Sequence, residues 1–481
     1  MTSRKAIGAV FVAAWAMIAL LLPEAASAAE QLHGETIPAF WALPFVGILL
    51  SIATGPLLFP NIWHRHYGKI TAAWAALALA PIGLTHGMAA MFAAFMHAML
   101  AEYLSFILLL FALYTVAGGI LITGAMRGTP WTNTAILALG TGMASIVGTT
   151  GAAMILIRPL IRANAGRRHN VHVIVFFIIL VANVGGALTP LGDPPLFVGF
   201  LRGIDFFWTA QHIWLQTLIV AALVLAMFVA IDIRLYRHDS SANAAPPQPT
   251  AIRVRGGINF ALIALIIAAI LLSATWRPGI AFELFGTKVA LQSLVRDTAI
   301  VLIALLSLWL TPNEHRAING FTWEPIKEVA KLFAGIFIAI IPVLAMLAAG
   351  KDGLFAPLLS AVTAGDGLPH GAAYFWLTGI LSAFLDNAPT YLVFFELAGG
   401  DPHELMGPMA GTLAAISMGA VYMGALTYIG NAPNLMIYAI AQEQGIKMPS
   451  FFAYMLWAGL VLIPLFLLLT ALPIAPILKW H

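Results

Sequence analysis

One ten-residue motif occurs twice in very apolar sequence, and it limits what the chain can fold into more than any other feature. Gly186–Pro195 reads GALTPLGDPP and Gly424–Pro433 reads GALTYIGNAP, so both obey GALT-x-x-G-[Asp/Asn]-x-Pro. Upstream, residues 145–153 (SIVGTTGAA) align more weakly with residues 382–390 (SAFLDNAPT). The first pair is offset by 238 residues and the second by 237, which points to one duplicated unit. Glycine and proline at these spacings cannot continue a helix. Inside a bilayer, unwound backbone survives only where protein or a water-filled cavity satisfies its polar groups. Interrupted apolar segments at matching places in two halves mark a transporter binding site.

Charge sets the class. Only 9% of the 481 residues are charged and 61% are hydrophobic, with mean hydropathy +0.94. A soluble protein carries about 25% charged residues, so the composition specifies a polytopic membrane protein. With no cysteine, disulfides, thiolate metal sites and cysteine nucleophiles are excluded. No Gly-x-x-x-x-Gly-Lys-[Ser/Thr] loop is present, which argues against ATP-driven pumping by this chain. Arg4 and Lys5, an apolar run from Ala6 to Leu22 and Ala26-Ser27-Ala28 give residues 1–28 the pattern of a signal peptide, or of an uncleaved first span.

Apolar stretches near 40–60, 70–88, 103–123, 209–233, 258–276, 298–311, 332–350 and 452–472 are expected to cross the bilayer. Two more, 171–200 and 407–436, are broken at Gly192–Pro195 and Gly430–Pro433. Segments 134–157 and 372–396 carry Gly, Pro, Asn and Thr at their middles and read as re-entrant hairpins. If 134–157 enters and leaves on one side, the basic clusters Arg65/Lys69, Arg158–Arg168 and Arg234–Arg255 all face the cytoplasm, as the positive-inside rule requires. The same reasoning brings hairpin 372–396 in from the opposite side. The expected fold is an all-α polytopic membrane protein of two inverted-topology repeats, 40–237 and 258–481, joined by a flexible cytoplasmic linker at 238–257. Each repeat holds one hairpin and one broken helix.

Two acids fall in the interruptions. Asp386 lies at the tip of the second hairpin and is expected to be the principal proton and Na⁺ site, with Asp193, at the first break, as the second acid. A mid-membrane carboxylate costs about 2.5–3.5 kcal/mol on insertion scales, so such a residue is a functional candidate. Competition of a proton and Na⁺ for one carboxylate suffices for an exchanger. The structural alternatives are a cap on the hairpin's free amides for Asp386 and a turn or N-cap role for Asp193. The repeat partner of Asp193 is Asn431 and that of Asp386 is Thr149. Neutral oxygens on Asn183, Thr149, Thr150, Thr189, Asn387, Thr390, Thr427 and Asn431, with Asn434, are further candidates, since a hard cation needs several such ligands; helix–helix hydrogen bonding is the alternative for each. Gly148, Gly151, Gly186, Gly192, Gly424 and Gly430, with Pro194, Pro389 and Pro433, shape the hairpin tips and breaks. His97, Glu102, His212, Asp232, Glu283, Arg296, Asp297 and Glu396 lie near span ends and are expected to be interfacial or snorkelling.

At Asn183–Pro195, Asp386–Thr390 and Thr427–Asn434 the sequence resembles the ion transporter superfamily, which includes citrate and divalent-anion carriers, arsenite pumps and NhaD-like sodium/proton antiporters. It is most similar to bacterial proteins described as sodium:proton antiporters or citrate transporters, from about residue 40 onward. The resemblance implies a scaffold domain, a transport domain holding hairpins and broken helices, alternating access, a homodimer and a bacterial inner-membrane location. Positions 386–388 read Asp-Asn-Ala where the carboxylate carriers hold Ser-Asn-Thr clusters, and NhaD-like members also carry Asp-Asn here. The first expectation is therefore a Na⁺/H⁺ antiporter with no cofactor beyond those two ions and no nucleic-acid partner. A Na⁺- or H⁺-coupled carrier of citrate or another carboxylate is the second. An intramembrane aspartyl protease with Asp193 and Asp386 as its dyad is the third.

Overall fold

A computed structural model describes residues 32–471 except 125, 240–250 and 366; the segment 1–28 lies outside the described residues. The fold is mostly helical. In chain order, α1 is Leu43–Leu58 and α2 is Pro60–His86. The span α3, Met88–Ala117, contains a π-helical turn at Ala98–Tyr103. Then follow α4 Pro130–Val147, α5 Thr149–Ala163, α6 Val171–Leu180, α7 Pro194–Leu201 and α8 Trp214–Arg237. The second half comprises α9 Ile258–Thr275, α10 Leu291–Leu310, α11 Glu324–Ala339, α12 Ile341–Ala348, α13 Gly371–Phe384, α14 Asn387–Leu397, α15 Ala410–Met423, α16 Ala432–Glu443 and α17 Phe451–Ala471.

Among the described residues, seven helices are long and apolar enough to cross a membrane, and eight if the α11–α12 pair, bent by 41° ahead of Pro342, is one span. The expected span at 103–123 begins earlier, at Met88, because the π turn continues the helix through Ala98–Tyr103 rather than ending it. The bend at Ile340–Pro342 was not anticipated; Pro342 cannot donate to the helix ladder, and the kink follows. Part of the expected linker is ordered. Arg253–Arg255 (β2) pairs antiparallel with Leu121–Thr123 (β1), and Arg162 of α5 donates to the Ile122 carbonyl at 2.9 Å. A second hairpin, Ala281–Leu284 (β3) with Thr287–Ala290 (β4), connects α9 and α10.

The helices form two groups. The long spans α1, α2, α3, α9, α10 and α11 pack on one another. The short elements α4–α7 and α13–α16 pack together, with α8 and α17 alongside. Each expected hairpin is a helix–turn–helix: α4 and α5 meet at Gly148, whose φ of +83° suits glycine, and α13 and α14 meet at Leu385–Asp386. Each expected broken helix unwinds where the motif lies, between α6 and α7 and between α15 and α16.

The two copies of the motif share local geometry. Ser145 Oγ donates to the Gly185 carbonyl and Ser382 Oγ to the Ala420 carbonyl, both at 2.6 Å. Thr189 Oγ1 donates to the Ser145 carbonyl as Thr427 Oγ1 donates to that of Ala383. In both, the motif's second glycine presses on the carbonyl of its first: a Cβ on Gly192 would collide with the Gly186 oxygen, and one on Gly430 with that of Gly424. Gly192→Ala is therefore expected to cost about 1–3 kcal/mol, read as a lowered melting temperature in detergent. Gly142→Ala, where nothing lies within 4 Å of a Cβ, should leave the midpoint unchanged or raise it slightly.

Candidate functional site

Four helices begin at one place: α5 and α14 at the hairpin tips, α7 and α16 at the breaks. Proline at the first or second position of α7 and α16 suits a helix start, because its missing N–H would have had no partner there. Asp193 and Asn431 precede these helices with matching extended backbones, φ −141°/ψ 143° and φ −154°/ψ 137°. Neither side chain caps its own helix. That removes the N-cap role for Asp193 and turns its carboxylate across the bundle.

There it meets one side chain from each of the other three elements. Thr149 Oγ1 donates to Asp193 Oδ1 at 3.0 Å, Asn431 Nδ2 donates to the same oxygen at 2.9 Å, and Asn387 Nδ2 donates to Oδ2. The Thr149 backbone N–H donates to the Gly192 carbonyl at 2.8 Å, which fastens the first hairpin tip to the first break. All four side chains are buried, Asp193 to 1% exposure. An ion in such a site needs these donors, because an unpaired buried charge is very costly. A carboxylate also fixes the orientation of the amides facing it: each turns its NH₂ inward and its oxygen away. Asn387 Oδ1 and Asn431 Oδ1 accordingly have no hydrogen-bond partner among the described residues.

Asp386 is buried one residue before Asn387, and its Oδ1 accepts from the Ala388 N–H at 3.2 Å. It caps its own helix, the structural role the sequence allowed for it, while still placing a second carboxylate beside the cluster. Thr390 Oγ1 donates to the Asp386 carbonyl at 3.0 Å and so stabilises the tip. Thr189 and Thr427 bond carbonyls at the ends of α4 and α13, as described above, rather than Asp193. Asn183 stands behind the cluster: its Nδ2 donates to the Ile178 carbonyl (2.9 Å) and to Asn434 Oδ1 (2.8 Å), and its Oδ1 accepts from Asn431 Nδ2 at 3.4 Å. Asn434 Nδ2 in turn binds the Gly424 and Thr427 carbonyls, each at 2.9 Å. Thr150 is half-buried on the first turn of α5. Gly151 packs against Ala117, where a Cβ would come within 3.1 Å of the alanine's. Among the described residues no three His, Cys, Asp or Glu side chains cluster as a metal site would require.

The electrostatics are close to balanced. Each helix N-terminus carries about half a positive charge, so four of them roughly offset two ionised carboxylates. Ser145, Ser382, Thr189, Thr427, Asn431 and Asn434 each engage a backbone carbonyl near the site. The two amide oxygens accept no hydrogen bond from the described residues.

Several acids expected at the interface are inside the protein. Asp232 is fully buried, accepting from Arg167, from His172 Nε2 at 2.8 Å and from Asn133 Nδ2 at 3.0 Å. Arg296 and Asp297 are 5% and 8% exposed and share Ser105. The span ends that carry these residues are covered by the hairpins and by neighbouring spans, so proximity to an end is not proximity to water.

This geometry, two broken helices and two helix–turn–helix tips closing on one buried carboxylate, is that of a multi-pass membrane transporter. A family profile described as "Putative citrate transport" matches residues 34–474, and the chain belongs to that family. It is a transporter and not an enzyme, which sets aside the aspartyl-protease alternative. Two relatives, an uncharacterized transporter of Mycobacterium tuberculosis and its counterpart in Mycobacterium bovis, are each 26% identical over 337 residues, covering 66% of this chain and 71% of theirs.

Asp193→Ala would strand three buried donors at about 1–3 kcal/mol each, while Asp193→Asn keeps an acceptor for at least one of them. The alanine variant should melt markedly lower in detergent than the asparagine variant; equal midpoints would mean that the donors do not depend on this carboxylate.

Proposed function

We propose that the protein is a Na⁺/H⁺ antiporter of a bacterial inner membrane, working by alternating access as a homodimer, with no cofactor beyond the two transported ions. The observation that carries this reading is the donor inventory at Asp193. One carboxylate is gripped by Thr149, Asn387 and Asn431, Asp386 stands beside it, and the two asparagine oxygens are unpartnered. Carboxylate oxygens are what a hard monovalent cation takes as ligands, and the amide oxygens of Asn387 and Asn431, turned away from Asp193 in this state, join them only once those amides flip. A proton and Na⁺ then compete for the same carboxylate, and that competition is the exchange. The inverted-repeat reading supports the alternating step: the matched geometry of the two breaks fits duplication, and the distribution of basic residues fits hairpins that enter from opposite sides.

A second reading is a Na⁺- or H⁺-coupled carboxylate carrier. Two observations favour it: four helix N-termini converge on the site, and the family's description is citrate transport. Asp193 and Asp386 weigh against a bound carboxylate unless a cation lies between.

Inverted vesicles carrying a pH-sensitive dye separate the two. Na⁺-driven proton movement without added carboxylate is expected, and Asp193→Asn or Asp386→Asn should abolish it. Proton or Na⁺ movement that appears only with citrate would select the carrier. Because H⁺ opposes Na⁺ at one group, the apparent Na⁺ affinity should rise with pH, by up to about tenfold per unit while the group is protonated, and then level off. A pH-independent Na⁺ affinity would rule out shared occupancy.

A further inference from the structure

The two helices that start at the site's carboxylates are joined again at their far ends. α7 runs from Asp193 to the residue before Arg202, and α14 from Asp386 to just past Glu396. Arg202 Nη1 donates to Glu396 Oε1 at 2.6 Å, and its Nη2 donates to Glu102 Oε1, also at 2.6 Å. Glu102 belongs to the other helix group, on the π turn of α3. A single guanidinium thus bridges both carboxylate-bearing helices to a long span. All three side chains are mostly buried: Arg202 is 26% exposed, Glu102 15% and Glu396 13%.

Local stability does not account for these positions. A cation at the C-terminal end of α7 suits the helix dipole, but a glutamate in the last turn of α14 opposes it. The chain nevertheless closes over that carboxylate: Gly400, at φ +69°, approaches so near that a Cβ would sit 2.5 Å from Glu396 Oε2. A π turn inserts an extra residue into a helix and is frequent at functional sites; here it carries Glu102. Beside the fork the two helices meet the same helix group through apolar side chains at the end of α11, with Val198 and Leu392 facing Ile336, Phe337 and Ile340. Apolar surfaces can slide past each other without stranding a polar group, whereas a two-carboxylate fork holds one register.

We infer that Arg202 is a positioning residue and an inter-group latch. It sets the spacing of the helices that present Asp193 and Asp386, and its bond to Glu102 holds them against α3 in the state seen here. Exchange then requires that bond to open. The inference rests on the alternating-access reading, and its test has a readout that does not depend on transport.

The natural chain has no cysteine, so one introduced thiol is a clean reporter. Val198→Cys lies at a position 3% exposed on the latched face, and Leu392→Cys, at 2%, is a second reporter should the first fold poorly. In reconstituted full-length protein, maleimide labelling of either thiol should be slow. Adding Glu102→Gln should speed it by about tenfold or more, the effect of losing one charge-assisted hydrogen bond. Arg202→Lys, which has a point charge in place of the fork, should fall between. Labelling unchanged by Glu102→Gln at both reporters overturns the latch, and intact Na⁺/H⁺ exchange in the same vesicles would leave the antiporter reading standing. Labelling that responds in vesicles without exchange supports the latch and counts against antiport.

Discussion

The architecture depends on how a carboxylate can be kept inside a membrane protein. Among the described residues no cationic side chain hydrogen-bonds to Asp193; three neutral donors from three other elements hold it instead. No single helix could supply them, because donors on one helix point to one side of the acid. The chain has to bring four interruptions to one point, and each interruption exposes backbone that must find partners away from lipid. The serine and threonine bonds to the carbonyls at the helix ends, repeated in both halves, supply those partners. The site and the unwinding that forms it are one structural problem.

Much of this was legible in the sequence because it is local and repeated. The motif copies fixed both breaks, the Gly/Pro/Asn/Thr content at 134–157 and 372–396 fixed both helix–turn–helix units, and the repeat alignment paired Asp193 with Asn431. The relative weight of the two acids was not legible. Which N-terminal side chain bends back onto its own helix and which reaches across depends on backbone angles at that residue: Asp386 bends back to Ala388, and Asp193 reaches across. The function of Thr189 and Thr427 was likewise obscured, since a threonine that braces a helix end and one that binds an ion look the same in a string of letters.

What the sequence hid most fully were the paired charges. Arg202, Glu102 and Glu396 are 100 and 194 residues apart along the chain from the arginine, and nothing in their neighbourhoods marks them as partners. The same holds for Arg167 with Asp232, and for Ser105 with Arg296 and Asp297. Buried ion pairs add little to stability compared with apolar packing of the same volume, but they specify which surfaces meet. Here they join one helix group to the other at Arg202, fasten a hairpin to a span at Arg167, and tie two long spans together at Ser105.

The short ladder between Leu121–Thr123 and Arg253–Arg255 brings the two halves of the chain together outside the core. Its first strand is held by Arg162, which belongs to the same helix as Thr149, and its second strand leads directly into Ile258–Thr275. Any shift of that helix along its axis must therefore drag the ladder and the start of the second half, or tear Arg162 from Ile122. A displacement at Thr149 and the carboxylate it binds would in this way be transmitted to the seam between the halves by a mechanical linkage a few residues long.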